Sequence, residues 1–363
     1  LAEQEPQVLA RAICVLEPKD YLNSCLTGRA ASDRVSMARL ADAAMKCTDG
    51  RSLFDIAGLE KRLMPPLLSP LDTVGEVQAG LGGALGRLAG RPVLAMANDT
   101  WTAVVGLGAM RAGAAYNISG TTEVLGLLAG KLAAAEGLLT VDWGNGLSQI
   151  GGPSQCGGDT LLWLLDLLGA EATRPEAAIE RLMARKRDSQ PLLFVPYLQG
   201  ERVPYWDPAL RGAFLGLNRR HGPQDLAAAA LEGIAFLNRS VLEAAESAAG
   251  VRAEEIRLGG GGARSHAWCS VKASVLGRDV VVPDVEEAGL LGGAVSAWTA
   301  LGAFADLSAA QSELVRVARR HAPDPLLKAG YDRLYVLFRQ AEGAIAPVCR
   351  ALAAAGPLGV AAP

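Results

Sequence analysis

The stretch VLAMANDTWTAVVGLGAMRAGAAYNISGTTEVLGL, residues 93–127, decides how the rest of the chain is read. Its first five residues are apolar and predict a short buried strand, 93–97, with Asn98 and Asp99 at its carboxyl end. A helix of small residues then runs to Gly113, a residue type that suits a C-terminal stop. Two more strands follow, 115–119 and 124–127, joined by the tight turn Gly120-Thr121-Thr122. This order puts a carboxylate at the carboxyl end of a strand, where open α/β sheets bind their ligands. A few elements later it offers an anion a turn with backbone N–H groups and two hydroxyls. A base and an anion cradle that close in sequence point to phosphoryl transfer. Each half also has a plainer reading. An Asp before a helix is commonly its N-cap, and Gly-Thr-Thr is commonly only a hairpin turn.

With 363 residues the chain is long enough for two domains with full cores. Half of it is apolar, a fifth is charged, and the net charge is -3. Such a balance excludes a nucleic-acid binder, which would carry a basic excess. The six cysteines are scattered without a C-x-x-C pair and read as reduced thiols of a cytoplasmic protein. Three histidines show no ligand spacing, so no metal site is expected from them. The apolar run 288–301 is too short to span a bilayer and reads as a buried helix, so no membrane partner is expected. The N-terminal residues lack the pattern of a signal peptide. They also lack an initiator Met, which reads as a fragment or a processed product.

Taken in order, residues 4–60 read as helical and irregular, MPPLLSP (64–70) as a connection, 73–76 as a strand and 81–88 as a Gly- and Ala-rich helix. Beyond the opening stretch, 138–143 is a strand candidate. GNGLSQIGGPSQCGG (144–158) then leads into a helix over 159–168. Gly157-Gly158 permits close approach of a ligand or marks a flexible surface loop. The charged helix 174–187 reads as a solvated face. Strand 192–195 precedes PYLQGERVP (196–204), whose Glu201-Arg202 pair either positions a substrate or, as favoured here, pins its own loop by charge-assisted hydrogen bonds. The longest helix spans 223–249 and stops at Gly250. Strand 256–258, the run Gly259-Gly260-Gly261-Gly262 and a helix over 265–276 form an arrangement that lets backbone amides approach a nucleotide. It matches neither a Walker A loop nor G-x-G-x-x-G. Strand 280–282 and helix 288–301 complete a β-α-β-α unit; an amphipathic helix over 331–344 precedes a frayed tail.

With these segments placed, the chain resembles the FGGY family of carbohydrate kinases, within the actin/hexokinase superfamily. The segments are LEPKDYL (16–22) with LTG (26–28), Asp33 and Ser36 after it, VPYLQGERVPYWDPALRGAFLGL (195–217) with His221, LEGIAFLNRSVLEA (231–244), LGGGGARSHAW (258–268) and LGRDVVVPDVEEAGLLGGA (276–294). The likeness covers roughly residues 5–344 and implies an α/β fold of two ribonuclease-H-like domains, the first truncated at its N-terminus. The domains would be 1–113, carrying the catalytic Asp, and 114–363, binding the nucleotide. It implies Asp99 as the catalytic base, Thr100 at the substrate, and Gly120, Thr121, Thr122, Gly158, Gly261, Gly262, Ala263 and His266 at the nucleotide. ATP and Mg2+ would be the cofactors and a small sugar or polyol the partner, most of all a ketopentose of the xylulose type, with polyol, methylpentose and autoinducer-type substrates as alternatives, in a cytoplasmic enzyme that is a possible homodimer.

The sequence departs from that family in three places. No D-x-G-T-x-S phosphate loop is present, Ser274 stands where an Asp is usual, and Leu162 where several members are polar. Little or no sugar turnover is therefore expected of this chain alone. Two rivals stay open: a degenerate, non-catalytic nucleotide-binding member, and an unrelated chaperone-like ATPase, which the Gly-Glu-Arg loop disfavours.

Overall fold

Alternation along residues 115–129 sends Ala115, Leu125, Leu127 and Ala129 to one face of a sheet and Tyr116 and Leu128 to the other. The computed structural model describes residues 3–41, 51–170 and 173–355. At its centre is a seven-stranded mixed sheet in the order Val317–His321, Asp279–Pro283, Glu255–Gly259, Ala115–Ser119, Glu123–Ala129, Leu147–Pro153, Leu139–Gly144. Glu255–Gly259 runs parallel to both of its neighbours, and the other pairings are antiparallel. Helices Pro223–Ala249 and His266–Leu276 cover the face that carries Ala115, Leu127, Ile256 and Val280. Asp99–Leu107 and Ala288–Ala300 cover the other, over Tyr116 and Leu128. The helix that starts at Asp99 is thus seated on the large sheet.

The described residues before 98 form a smaller unit, whose helix Arg34–Ala41 packs against the strand Leu139–Gly144 of the large sheet. Ser32–Asp33 pairs parallel with Leu67–Leu68, and Thr73–Glu76 antiparallel with Pro92–Leu94. Lys19 binds the buried carboxylates of Asp20 (2.5 Å) and Asp33 (2.7 Å), while Asp33 also accepts the Val35 and Ser36 amides at the start of helix Arg34–Ala41.

Several expected elements are corrected by backbone chemistry. The strand of the opening stretch is Pro92–Leu94 and stops short of 97, because Met96 takes a left-handed φ of 52°. The following helix ends at Leu107, where Gly108, at φ 75°, caps it well before Gly113. Residues 81–88 yield only the 3-10 turn Leu85–Leu88, since glycines at 80, 82, 83 and 86 each cost a helix about 1 kcal/mol. The glycine-punctuated segment hides the strand Leu147–Pro153, joined to Leu139–Gly144 by an Asn145-Gly146 turn with both residues at positive φ. Helix Pro175–Met183 is more than a solvated face, since Ala178, Ile179 and Leu182 are buried on it. Ala288–Ala300 is not a buried helix: Gly292, Val295 and Ser296 are covered, but Leu290 and Trp298 are exposed. The amphipathic tail helix extends over Pro325–Ala355. The tail 356–363 and Cys47 lie outside the described residues; the other five cysteines are free. No described helix is long and apolar enough to cross a membrane.

Candidate active site

The N-cap of helix Asp99–Leu107 is Asn98, whose side chain accepts the Trp101 amide at 3.0 Å. Capping is therefore not the task of Asp99, which stands exposed at the first helical position. Its Oδ1 accepts the Thr100 amide at 2.7 Å, and no described residue donates to Oδ2. Asn98 and Thr100 line a cavity of about 140 Å³ with Tyr116, Trp143, Gln149 and Gly152, where the small unit's Val35 meets the large sheet. A small polar molecule in this cavity would meet the side chains of Asn98, Thr100 and Gln149, with Asp99 next to two of them in the chain.

A second cavity, of about 210 Å³, lies beside the turn 120–122. Gly120, Thr121, Gly158, Gly261 and Gly262 line it, with Leu161, Leu162, Ile179 and Trp268 as an apolar wall. The structure thus gathers five of the predicted nucleotide residues from three separate segments. Thr122, Ala263 and His266 flank the cavity without lining it. Thr122 closes the turn by accepting the Gly120 amide, Ala263 is buried beneath, and His266 meets Arg319 at 3.1 Å. A Cβ on Gly261 would meet no atom within 4 Å, so that residue faces open space; one on Gly262 would strike Ser119 Oγ at 2.1 Å. Gly158 N donates to Gly120 O and Asp159 N to Thr121 O, which ties the helix Gly158–Leu167 to the turn. A polyphosphate with an apolar base fits such a surface: close backbone on one side, apolar side chains on the other. Among the described residues no group of three His, Cys, Asp or Glu side chains could hold a metal ion.

The Glu201-Arg202 pair reaches this site through the loop before Gly157. Buried Glu201 accepts the Gln155 and Arg202 amides (both 2.7 Å), the Ser154 hydroxyl (3.0 Å) and the Cys156 thiol (2.8 Å), while Arg202 donates to Ser154 O. Burial raises the Glu201 carboxyl above the ordinary range. It pushes the Cys156 thiol well up, helped by the Glu201 charge, so the thiol stays protonated and donates. The pair pins its own loop and, through it, residues 154–158.

Two contributors escaped the sequence reading. Glu180, on the helix read as a solvated face, accepts the Ser265 hydroxyl and the Ala267 amide, both at 2.8 Å, at the start of helix His266–Leu276. Lys272 is fully buried and paired with Glu123 at 2.8 Å beneath the turn 120–122. Its signal was legible: Trp268, Lys272 and Leu276 recur every four residues, so the lysine shares a face with two core side chains.

Residues 115–301 match the C-terminal domain of the FGGY family of carbohydrate kinases, and residues 1–106 its N-terminal domain. The xylulose kinase of Lactococcus lactis is 27% identical over 94% of this chain and 68% of its own length. The glycerol kinase of Dechloromonas aromatica is 34% identical over 77% of this chain and 55% of its own length. This chain thus spans between half and little more than two thirds of these relatives. Among solved structures, the xylulose kinase from Rhodospirillum rubrum has a TM-score of 0.82 at 27% identity, covering 96% of this chain and 71% of that one. The gluconate kinase from Lactobacillus acidophilus reaches 0.85 at 23% identity, covering 95% and 70%, which speaks for the fold alone. The fold is the two-domain α/β architecture of the actin/hexokinase type, and the chain belongs to the FGGY family of carbohydrate kinases.

Proposed function

We propose that the protein transfers the γ-phosphoryl group of ATP to a hydroxyl of a small sugar or polyol, a ketopentose of the xylulose type before others. The observation that carries the reading is Asp99, relieved of capping by Asn98 and exposed beside the cavity that Thr100 lines. Asp99 would accept the proton of the attacking hydroxyl. Thr100 would orient the sugar. The amides of the turn 120–122 would hold the phosphates, with Gly158, Gly261 and Gly262 against the rest of the nucleotide. ATP supplies the group transferred, and the chain's part is positioning and charge. Mg2+ would be held mainly by the nucleotide's phosphates. The division between the domains would fall near Gly113, a reading supported by family matches that stop at residue 106 and resume at 115. Free thiols and the need for ATP favour a cytoplasmic setting. A xylulose-type substrate is favoured because the xylulose kinases align over 94–95% of this chain, the glycerol kinases over 69–80%.

A coupled assay with xylulose, glycerol and gluconate tests the reading, using this chain alone and joined to the phosphate-loop segment of a relative. The expected outcome is kcat/KM for xylulose at least about 10-fold above the others. Preference for glycerol would make it a polyol kinase. No turnover in either form would leave the non-catalytic reading. The nucleotide site has its own test. Gly261→Val places a Cβ in open cavity with no protein atom within 4 Å of it, so ADP affinity should fall about 10-fold or more at an unchanged Tm. Unaltered affinity by calorimetry would remove the glycine run from the site.

A further inference from the structure

The strands that end in the two nucleotide-facing turns lie side by side, with Gly259 paired to Ile118. Between the turns and the long central helix sits Lys272, 0% exposed, on a helix otherwise packed in the core. Its three donors are all used: Asn117 Oδ1 at 2.7 Å, Glu123 Oε2 at 2.8 Å and Asn238 Oδ1 at 2.5 Å. Asn117 Nδ2 donates to the same Glu123 carboxylate at 2.6 Å, and the Ser119 hydroxyl donates to its other oxygen at 2.6 Å. Ser119 in turn accepts from Trp268 Nε1 at 3.0 Å, and the ammonium lies 4.3 Å from the centre of the Trp268 ring. Asn117, Ser119 and Glu123 bracket the turn 120–122. On the other side, Gly260 and Gly262 lean on Ser119 so closely that a Cβ on either would come within 2.5 Å of it.

A buried ion pair rarely stabilises a protein more than apolar residues of the same shape would, and its best-attested use is to fix geometry. Lys272, Glu123, Asn117 and Ser119 have every side-chain polar atom hydrogen-bonded, and each belongs to, or touches, a segment that carries one of the two turns. We propose that Lys272 is a positioning residue for the nucleotide: through Glu123, Asn117 and Ser119 it holds the phosphate-side turn 120–122 in register with the turn 260–263. The proposal rests on the nucleotide reading above and goes beyond it. Lys272 touches no ligand, and its effect falls on the phosphates, because the network braces the turn 120–122 from both ends.

The test compares ADP with adenosine by calorimetry. The double variant Lys272→Met/Glu123→Gln removes both charges and strands neither. It should weaken ADP binding about 10-fold or more, as a misplacement of the order of 1 Å would, while adenosine stays within about 3-fold of wild type. Equal losses for both ligands, or no loss for either in a folded protein, would overturn the proposal. Should the double variant not fold, Asn238→Ala removes a single acceptor from the far side of the ammonium. It should produce the same selective loss on a smaller scale, and its absence has the same consequence. A wild-type chain that binds no ADP refutes the nucleotide reading itself, and this proposal with it; binding that is intact in wild type and unselective in the variants refutes only the proposal.

Discussion

Replacing Asp99 by asparagine is expected to slow phosphoryl transfer by at least about 100-fold, within the range that general-base catalysis commonly supplies, and to leave folding and nucleotide binding alone. The helix does not depend on the carboxylate: Asn98 makes the capping bond, and the one described contact of Asp99 is with the neighbouring Thr100. An asparagine oxygen accepts that amide as well as a carboxylate oxygen does. In the proposed reading the nucleotide is held by the turn 120–122, Gly158 and the run 261–262, none of which is a hydrogen-bond partner of Asp99. What asparagine removes is the acceptor for the hydroxyl's proton. A group needed only in the transition state lowers kcat and kcat/KM together, with KM little changed. Single-turnover phosphorylation, in whichever form of the protein turns sugar over, run beside a melting curve, gives both numbers. A rate within a few-fold of wild type would retire Asp99 as the base.

The candidate site was legible where it depends on local backbone chemistry. Gly120, Gly158 and Gly261 were picked out as places where a chain approaches a ligand closely, and the fold brings all three to one cavity. The long helix Pro223–Ala249 was readable from end to end because proline opens it, glycine closes it, and its apolar spacing never breaks. Failures came where a tertiary partner decides. Nothing within residues 99–113 says that Gly108, rather than Gly113, ends the helix; both take a left-handed φ. The strand Leu147–Pro153 was missed although Asn145-Gly146 announces a hairpin, because its own glycines dilute the apolar pattern. Ala288–Ala300 looked buried on composition, yet glycines let only a narrow stripe of it touch a neighbour. His266 is an expectation from resemblance alone; its described contacts are with Arg319 and His321, and they do not bear on that role. The Lys272 network joins residues 155 apart in sequence, and no window along the chain spans that.

That narrow stripe carries the other large effect. Where helices Asp99–Leu107 and Ala288–Ala300 cross, a Cβ on Gly106 would lie 1.9 Å from Ala288 O, and one on Gly292 would lie 1.8 Å from Thr102 O. Both obstacles are backbone, so no change of rotamer relieves them. Restoring ordinary contact at about 3.5 Å moves the helices apart by roughly 1.5 Å. That gap opens beside Val104, Val105 and Val295, all fully buried, and strains the bond from Gln311 Nε2 to Val105 O. Gly106→Ala is therefore expected to cost about 3 kcal/mol, the upper part of the range for overpacking, and to lower Tm by about 5 °C or more. Turnover should suffer further, since Asp99 begins the displaced helix and a misplacement near 1 Å costs on the order of 100-fold. Gly293→Ala is the control: it lies in the middle of the partner helix, its Cβ meets nothing within 4 Å, and alanine there should stabilise the helix by about 0.5–1 kcal/mol. Opposite shifts in Tm from one added methyl, according to whether the crossing or an open face receives it, would place the crossing at Gly106 and Gly292. A Gly106→Ala protein that melts with wild type would mean the helices do not touch there, and the seating of Asp99 would need another cause.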